Sequence, residues 1–433
     1  MLIQFKVKNF LSFKDEQVFS MVSSNKLSEL PENRIEVVKD DFYLLKSASI
    51  FGANSSGKSN LLAAIGFMKR FIMNSLKESQ NEGNIAELSF ALNAQTRHEN
   101  TILELSFLLD DTIIRYGFSI DRKSIQEEWL YMDEALVFFR ENQELSQYDH
   151  DRLEPQETEI KFNMTNSKSL FLTILATTNT DFAEWIVDYI RNDVNIIHGL
   201  GGGRVDFTKI ALKKGNKLLK KKILEMLEIA DLNINNLEVV KAGDVDFTDT
   251  PMEDFPEELL SQIELDINRL ISEHNVYDNE GNIVGKHKFD AEIYESSGTN
   301  EFIKIAGPLI DTLENDKVLF IDEIDAKLHP LMTKYILSLF NSKKNSRAQL
   351  IMTSHNATVL GDNLLRRDQI WFTEKDSFEA SHLTALSNYK FKGEVVRKDE
   401  KYDKNYLKGK YGAIPIIKSH IIDEVFSSDS EVL

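Results

Sequence analysis

The chain has 433 residues, no cysteine, a formal net charge of −19, and 42% hydrophobic against 28% charged residues. This is the composition of a folded globular protein with room for more than one compact unit, and the missing thiols exclude disulfides, thiolate metal ligands and cysteine nucleophiles. No apolar run is long enough to span a bilayer, the amino terminus enters a strand pattern without a leader, and the acidic charge argues against indiscriminate nucleic-acid binding, so the expectation is a cytoplasmic, membrane-free protein.

Taken in chain order, Ile3, Phe5 and Val7 alternate with Gln4, Lys6 and Lys8, which predicts a half-buried opening strand. Ala48-Ser49-Ile50-Phe51 predicts a short buried strand, and it runs into Gly52-Ala53-Asn54-Ser55-Ser56-Gly57-Lys58-Ser59, a complete G-x-x-x-x-G-K-S phosphate loop. Leu61, Leu62, Ile65, Met68 and Ile72 follow at helical spacing. The glycines let successive backbone N–H groups point at phosphates, and the helix adds the positive end of its dipole. A nucleoside triphosphate is therefore expected against Gly52, Asn54, Ser55, Ser56, Gly57, Lys58, Ser59 and Asn60, with Lys58 on the β- and γ-phosphates and Ser59 on Mg²⁺.

Residues 1–145 continue as a β-rich stretch through Ile102, Leu103, Leu105 and Phe107, then Ile113-Ile114-Arg115-Tyr116. Residues 146–285 change to helical spacing at Leu170, Ile174, Ala183, Ile186 and Ile190, at Leu218 to Leu227, and at Leu259 to Ile271, which predicts a mainly helical insertion or lid. Gly199 to Gly203 reads as a joint within it, with a second phosphate loop as the alternative. The lysine run Lys213 to Lys222 reads either as a solvated helix face or as a contact for nucleic acid or an acidic partner.

Residues 286–433 are expected to complete the domain begun at the amino terminus. Phe289, Ala291 and Ile293 predict a strand, and Glu295-Ser296-Ser297-Gly298-Thr299 opens a helix with Phe302, Ile305, Ala306, Leu309 and Leu313 on its apolar face. Val318-Leu319-Phe320-Ile321 is a buried-type strand ending in Asp322-Glu323, a Walker B pair that delivers Asp322 to Mg²⁺ and Glu323 to the attacking water. Leu350 to Ser354 predicts the next strand, ending at His355, which could sense the γ-phosphate; Leu360 to Glu374, with Ile370-Trp371-Phe372, resembles the last core strand. Beyond it lies a polar, lysine-rich tail with Asp423, Glu424, Asp429 and Glu431 near its end.

Ser296, Ser297, Gly298 and Thr299, one helix before the Walker B, resemble a divergent ABC signature, and Asp325 stands where that class has its D-loop. Asp322-Glu323-Ile324-Asp325 followed by Leu328-His329-Pro330 resembles the ABC-class heads of the SMC, RecF and OLD-nuclease group, and Phe5 to Phe13 resembles that group's opening strand. Arg115 to Phe118, Glu127 to Tyr131 and Tyr406 to Pro415 are similar to AbiL/RloA-type abortive-infection ATPases, often catalogued as AAA family ATPases. The terminal stretch is a family mark with no physical account at the level of sequence.

The resemblance implies an α/β fold: an ABC-type P-loop ATPase head with a parallel core sheet, an antiparallel β subdomain and a helical insertion. It implies Mg²⁺-dependent ATP hydrolysis in a homodimer or larger homo-oligomer whose heads sandwich ATP, with Lys58, Asp322, Glu323 and His355 of one chain facing Ser296 to Thr299 and Asp325 of the other. Residues 356–433 are too short for a nuclease domain of the acidic, metal-dependent kind, so the implied partner is a separate effector such as a Toprim nuclease in antiphage defence. The alternatives are a RecF- or SMC-like factor acting on DNA in repair or recombination, and a scaffold that builds larger rings. A Q-loop glutamine is expected between residues 85 and 100, where Gln95 is available.

Overall fold

A computed structural model describes residues 1–37, 42–78, 85, 88–198, 207–241, 268–391 and 393–414. The glycine joint at 199–203, most of the stretch from Leu259 to Ile271, Pro415 and the acidic tail lie outside these residues.

Two large sheets organise the molecule. The first is antiparallel: β1 (Leu2–Lys8) and β2 (Gln17–Ser20) join β6 (Thr101–Leu109), β7 (Thr112–Ile120), β8 (Ile125–Met132), β9 (Ala135–Glu141) and β10 (Glu144–Tyr148) in the order β10-β9-β8-β7-β6-β1-β2. In β1 the alternation read from sequence holds: Ile3, Phe5 and Val7 are buried while Gln4, Lys6 and Lys8 are half-exposed.

The second sheet contains β5 (Ser47–Gly52), β11 (Val194–Ile197), β15 (Val318–Ile321), β16 (Gln349–Ser354), β17 (Ile370–Lys375) and β18 (Ser381–Ala385), in the order β11-β15-β16-β5-β17-β18. All neighbours are parallel except β18, which turns back on β17. These strands read as continuous apolar runs because both faces are covered. Successive side chains then alternate between two cores: Val318 and Phe320 join one, Leu319 and Ile321 the other. The first core also holds the antiparallel sheet, helix α1 (Lys58–Glu78) and, from the middle of the chain, α3 (Phe171–Thr177) and α4 (Asp181–Asn192). The second holds the helices Ser297–Glu314 and Pro330–Asn341 and α6 (Lys217–Ile229).

Gln349 fastens the sheets together. Its buried side chain accepts from Leu2 N (2.5 Å) and donates to Leu2 O (3.1 Å) and Leu45 O (3.0 Å).

The middle of the chain departs from the expected helical insertion. Its helices are present, yet β11 within it is a core-sheet strand paired in parallel with β15. A small antiparallel sheet of β12 (Asn236–Lys241), β13 (Asn268–Tyr277) and β14 (Ile283–Asp290) also straddles the expected boundary at 285, and Leu270 and Ile271 lie in β13. Ala291 and Ile293 sit in a one-turn helix, Ala291–Tyr294, because Asp290 caps it by accepting from Glu292 N at 3.1 Å. The lysine run falls on α6 and the end of α5 (Phe207–Lys213); α6 buries Leu219, Ile223, Met226 and Leu227 and leaves its lysines at the surface, as both readings of the run require.

The helix Ser297–Glu314 contains Pro308, whose missing N–H leaves the carbonyl of Lys304 without its helical donor. The buried Thr208 hydroxyl replaces it, donating to Lys304 O (2.8 Å) while accepting from Gly307 N (3.2 Å). A Cβ at position 307 would overlap Thr208 Oγ1, so the glycine is what lets α5 dock there.

Candidate functional site

The candidate site lies at the carboxyl edge of the parallel sheet, where the loops after β5, β15 and β16 converge. The loop between β5 and α1 carries Asn54, Ser55 and Ser59 exposed, with Ser56, Gly57 and Lys58 buried beneath. Ser55 and Gly57 have φ of 62° and 113°. At Gly57 an added Cβ would stand 2.5 Å from Ser381 Oγ and 2.8 Å from its Cβ, so both the conformation and the space require glycine. Ser381 Oγ donates to Ser56 O (2.7 Å) and shares a hydrogen bond with Ser12 Oγ (2.8 Å), Asn60 Nδ2 donates to Ser12 Oγ (2.7 Å), and Ser56 Oγ shares a hydrogen bond with Thr373 Oγ1 (2.6 Å). The phosphate loop is thus braced from β17, β18 and the turn after β1.

Lys58 folds over its own loop, donating to Gly52 O and Ala53 O at 2.9 Å each. Burial lowers its pKa to about 8, against the opposing pull of Asp322, Glu323 and Asp325. That electrostatic coupling ties the loop to the Walker B pair, which β15 delivers beside it.

Asp322 is only 7% exposed; Thr353 Oγ1 donates to its Oδ1 at 2.6 Å. The same hydroxyl accepts from Glu323 N at 2.7 Å. Glu323 has φ of 50°, a left-handed conformation costly for a side chain with a Cβ. Asp325 then reaches the loop after β16 and accepts from His355 N (3.0 Å to Oδ2). His355 is exposed, and its pKa is lowered first by partial burial and then by Lys58, which favours the neutral imidazole.

The structure therefore brings Lys58, Asp322, Glu323, Asp325 and His355 together. Ser296 to Thr299 stand elsewhere: among the described residues no hydrogen bond joins them to the phosphate loop. Ser296 caps the helix Ser297–Glu314, its hydroxyl accepting from Thr299 N (3.1 Å), and Ser296 and Ser297 are exposed. A Cβ on Gly298 would meet Lys327 O at 2.9 Å, so the glycine lets the loop after Asp325 pass close to this helix end. Lys327 Nζ also pairs with the buried Glu301 (3.3 Å). Glu295, just before the cap, accepts from Ser272 Oγ (2.6 Å) and bonds His274 Nε2 (2.7 Å), tying β13 to it.

Gln95 is exposed in the loop before β6, which is anchored on Asn9. The strand beside the Walker B strand is β11, whose Ile197 O accepts from Asp322 N at 2.9 Å, so His198 is the residue brought to that edge. The imidazole lies over Gly66 of α1, where a Cβ would stand 3.0 Å from Nε2. Sequence reasoning missed His198; the signal was the β-branched Val194, Ile196 and Ile197 that precede it.

Residues 47–177 and 208–361 match the family described as "AAA domain, putative AbiEii toxin, Type IV TA system". The chain belongs to this AAA-domain family. The match spans the phosphate loop, the Walker B pair and His355, and the AAA domain is built here on an α/β fold with a mainly parallel core sheet and an antiparallel sheet. No curated protein matches the chain. Solved structures similar to it include an Smc head bound to the C-winged helix domain of ScpA (15% identity, 89% of this chain, 98% of that chain, TM-score 0.49). An SMC head domain from Thermotoga maritima is also similar (12% identity, 89% and 98% coverage, TM-score 0.41). So is an Smc head with an extended coiled coil bound to the C-terminal domain of ScpA derived from Pyrococcus furiosus (14% identity, 89% and 96% coverage, TM-score 0.43). Among its described residues the AAA-domain chain has no helix long and apolar enough to cross a membrane.

Proposed function

We propose that this AAA-domain chain is a Mg²⁺-dependent ATPase switch whose two heads close on ATP and which controls a separate effector, such as a Toprim nuclease, in antiphage defence. The observation that carries the reading is the division of the chemistry: Lys58, Asp322, Glu323, Asp325 and His355 share one sheet edge, whereas the Ser296 cap points to solvent on another helix. A site divided in this way is completed by a second copy.

The residues present fit the nucleotide and its metal. A glycine cradle that any Cβ would fill, an exposed Ser59 and the nearly buried Asp322 carboxylate match a triphosphate with a hard cation held by oxygen ligands. Ser59 and Asp322 would hold Mg²⁺, which when bound supplies charge neutralisation to the phosphates. Lys58 would leave its backbone acceptors for phosphate oxygens. Glu323 would orient the attacking water and accept its proton, while His355 would donate to the γ-phosphate. Ser296, Ser297, Gly298 and Thr299 of the second copy would offer the positive helix end to the same phosphate. Because those contacts exist only with the γ-phosphate, binding favours the closed state and hydrolysis removes the preference.

The test is the absolute mass of wild type and Glu323→Gln, with and without Mg-ATP, alone and with the product of the adjacent gene. An ATP-dependent gain in mass by the variant, with capture of that product, supports the reading. Constant mass, with turnover raised only by DNA, overturns it.

A further inference from the structure

A cavity of about 230 Å³ lies on the antiparallel side of the molecule, away from the site above. Phe67, Leu88 and Ile120 line its apolar part, and Arg97, His98 and Lys123 stand at its polar side. Arg97, Arg122 and Lys123 line it with two carboxylates, Asp121 and Glu99, so the wall carries a small excess of positive charge in a chain of net charge −19. Asp121 Oδ1 accepts from Lys123 N and Ser124 N at 2.7 Å each, which orients its carboxylate within the turn, and Arg97 Nη2 donates to Ala91 O (2.9 Å). Glu99, on the same wall, offers a carboxylate acceptor.

From this arrangement we infer a second ligand site for a nucleoside phosphate, distinct from the phosphate loop. An apolar floor accommodates a planar ring, the cations receive the phosphate, and Glu99 can accept from a sugar hydroxyl or an exocyclic amine. The cavity has room for about one nucleotide, either a free mononucleotide or the phosphorylated end of a strand.

The cavity wall is wired to the phosphate loop. Buried Asn9 holds the loop before β6 by donating to Thr96 O (2.7 Å) and Glu99 O (2.8 Å) and accepting from Phe90 N (3.0 Å), and Leu11 N donates to Leu88 O (2.6 Å). The next residue, Ser12, accepts from Asn60 and shares a hydrogen bond with Ser381 at the phosphate loop. Asn9 and Leu11 both have positive φ, 52° and 49°, so this four-residue link is a built turn with contacts at either end.

Calorimetric titration of full-length Lys58→Ala, which disables the phosphate loop, tests the site with two kinds of probe: AMP, GMP, CMP and UMP singly, and a 5′-phosphorylated thymidine tetranucleotide. The same titrations are made on Lys58→Ala carrying Arg97→Glu and Lys123→Glu, with equal melting temperatures as the control for folding. At least one probe is expected to bind and to weaken by about tenfold or more on charge reversal. Binding by a mononucleotide alone assigns a free ligand, and binding by the tetranucleotide alone assigns a strand end. No binding by any probe, or binding that survives charge reversal, overturns the inference. Because Lys58 is already removed, neither result depends on the ATPase reading.

Discussion

The hydroxyl of Thr353 joins both Walker B residues, donating to Asp322 Oδ1 and accepting from the amide of Glu323. One buried side chain thereby fixes the orientation of the candidate metal ligand and holds the strained backbone of its neighbour. Thr353→Val keeps the shape and removes both bonds. The expected outcome is a loss of about 1–3 kcal/mol, read from urea unfolding, because buried polar groups lose their partners. ATP turnover should fall as well, and Thr353→Ser should recover most of both losses.

Lys58 gives the site a pH dependence of definite sign. In the free chain burial lowers its pKa to about 8, and phosphates would raise it again on binding. Binding is therefore strongest below pH 8, where the lysine already carries its proton, and weakens as pH rises through that value while proton uptake accompanies binding. Calorimetry between about pH 7 and 9.5, in buffers of different ionisation enthalpy, should show uptake approaching one proton per site at the alkaline end.

At Gly57 the backbone φ of 113° and the closeness of Ser381 both forbid a side chain. Gly57→Ala should strain the loop by about 1–3 kcal/mol and reduce ATP affinity accordingly, measured by equilibrium binding. Gly215→Ala also stands at a positive φ, yet nothing lies within 4 Å of its added Cβ, and it should leave ATP affinity unchanged.

Arg140 and Glu128 are fully buried and paired at 3.4 Å. Glu128 also accepts from Phe171 N (2.7 Å) and Leu172 N (2.9 Å) at the start of α3 and from Tyr116 Oη (3.0 Å), while Arg140 donates to Ser169 O (2.7 Å) and Asn166 O (2.9 Å). This network attaches α3 to β7, β8 and β9. Arg140→Met leaves an uncompensated carboxylate and should cost about 3–5 kcal/mol, seen as a lower denaturation midpoint. Replacing both partners with apolar residues should cost less than the single change.

The placement of the candidate site was legible because its motif needs fixed residue types at fixed spacing: a glycine at 57, where φ is positive, followed by Lys58 and Ser59, and an apolar strand before Asp322. β11 was not legible, since four residues between helical stretches carry too little periodicity to declare a strand, and its place depends on pairing with distant Val318 to Ile321. Helical spacing elsewhere in residues 146–285 masked the small sheet for the same reason. The stretch from Tyr406 to Ala413 gains a physical account only in three dimensions. Tyr406 and Tyr411 stack on Phe372 with ring centroids 5.4 and 5.5 Å away, Tyr406 lies 6.1 Å from Phe51, and its hydroxyl donates to Ala413 O (3.1 Å). Gly412, at φ 63°, turns the chain where a Cβ would strike Glu374. Those tyrosines pack behind the strand that carries the phosphate loop, a contact between chain segments that no local pattern could announce.

The sheet order β16-β5-β17 also fixes when this protein can become competent during its own synthesis. Strand β5 leaves the ribosome early, but both of its neighbours are encoded after residue 348, so it waits for roughly 300 further residues. At about 5–20 residues per second that is on the order of 15–60 seconds with an apolar strand lacking its partners. The candidate pocket closes only once β16 and β17 have been made, and a product truncated before residue 349 would leave β5 without either of its neighbours in the central sheet.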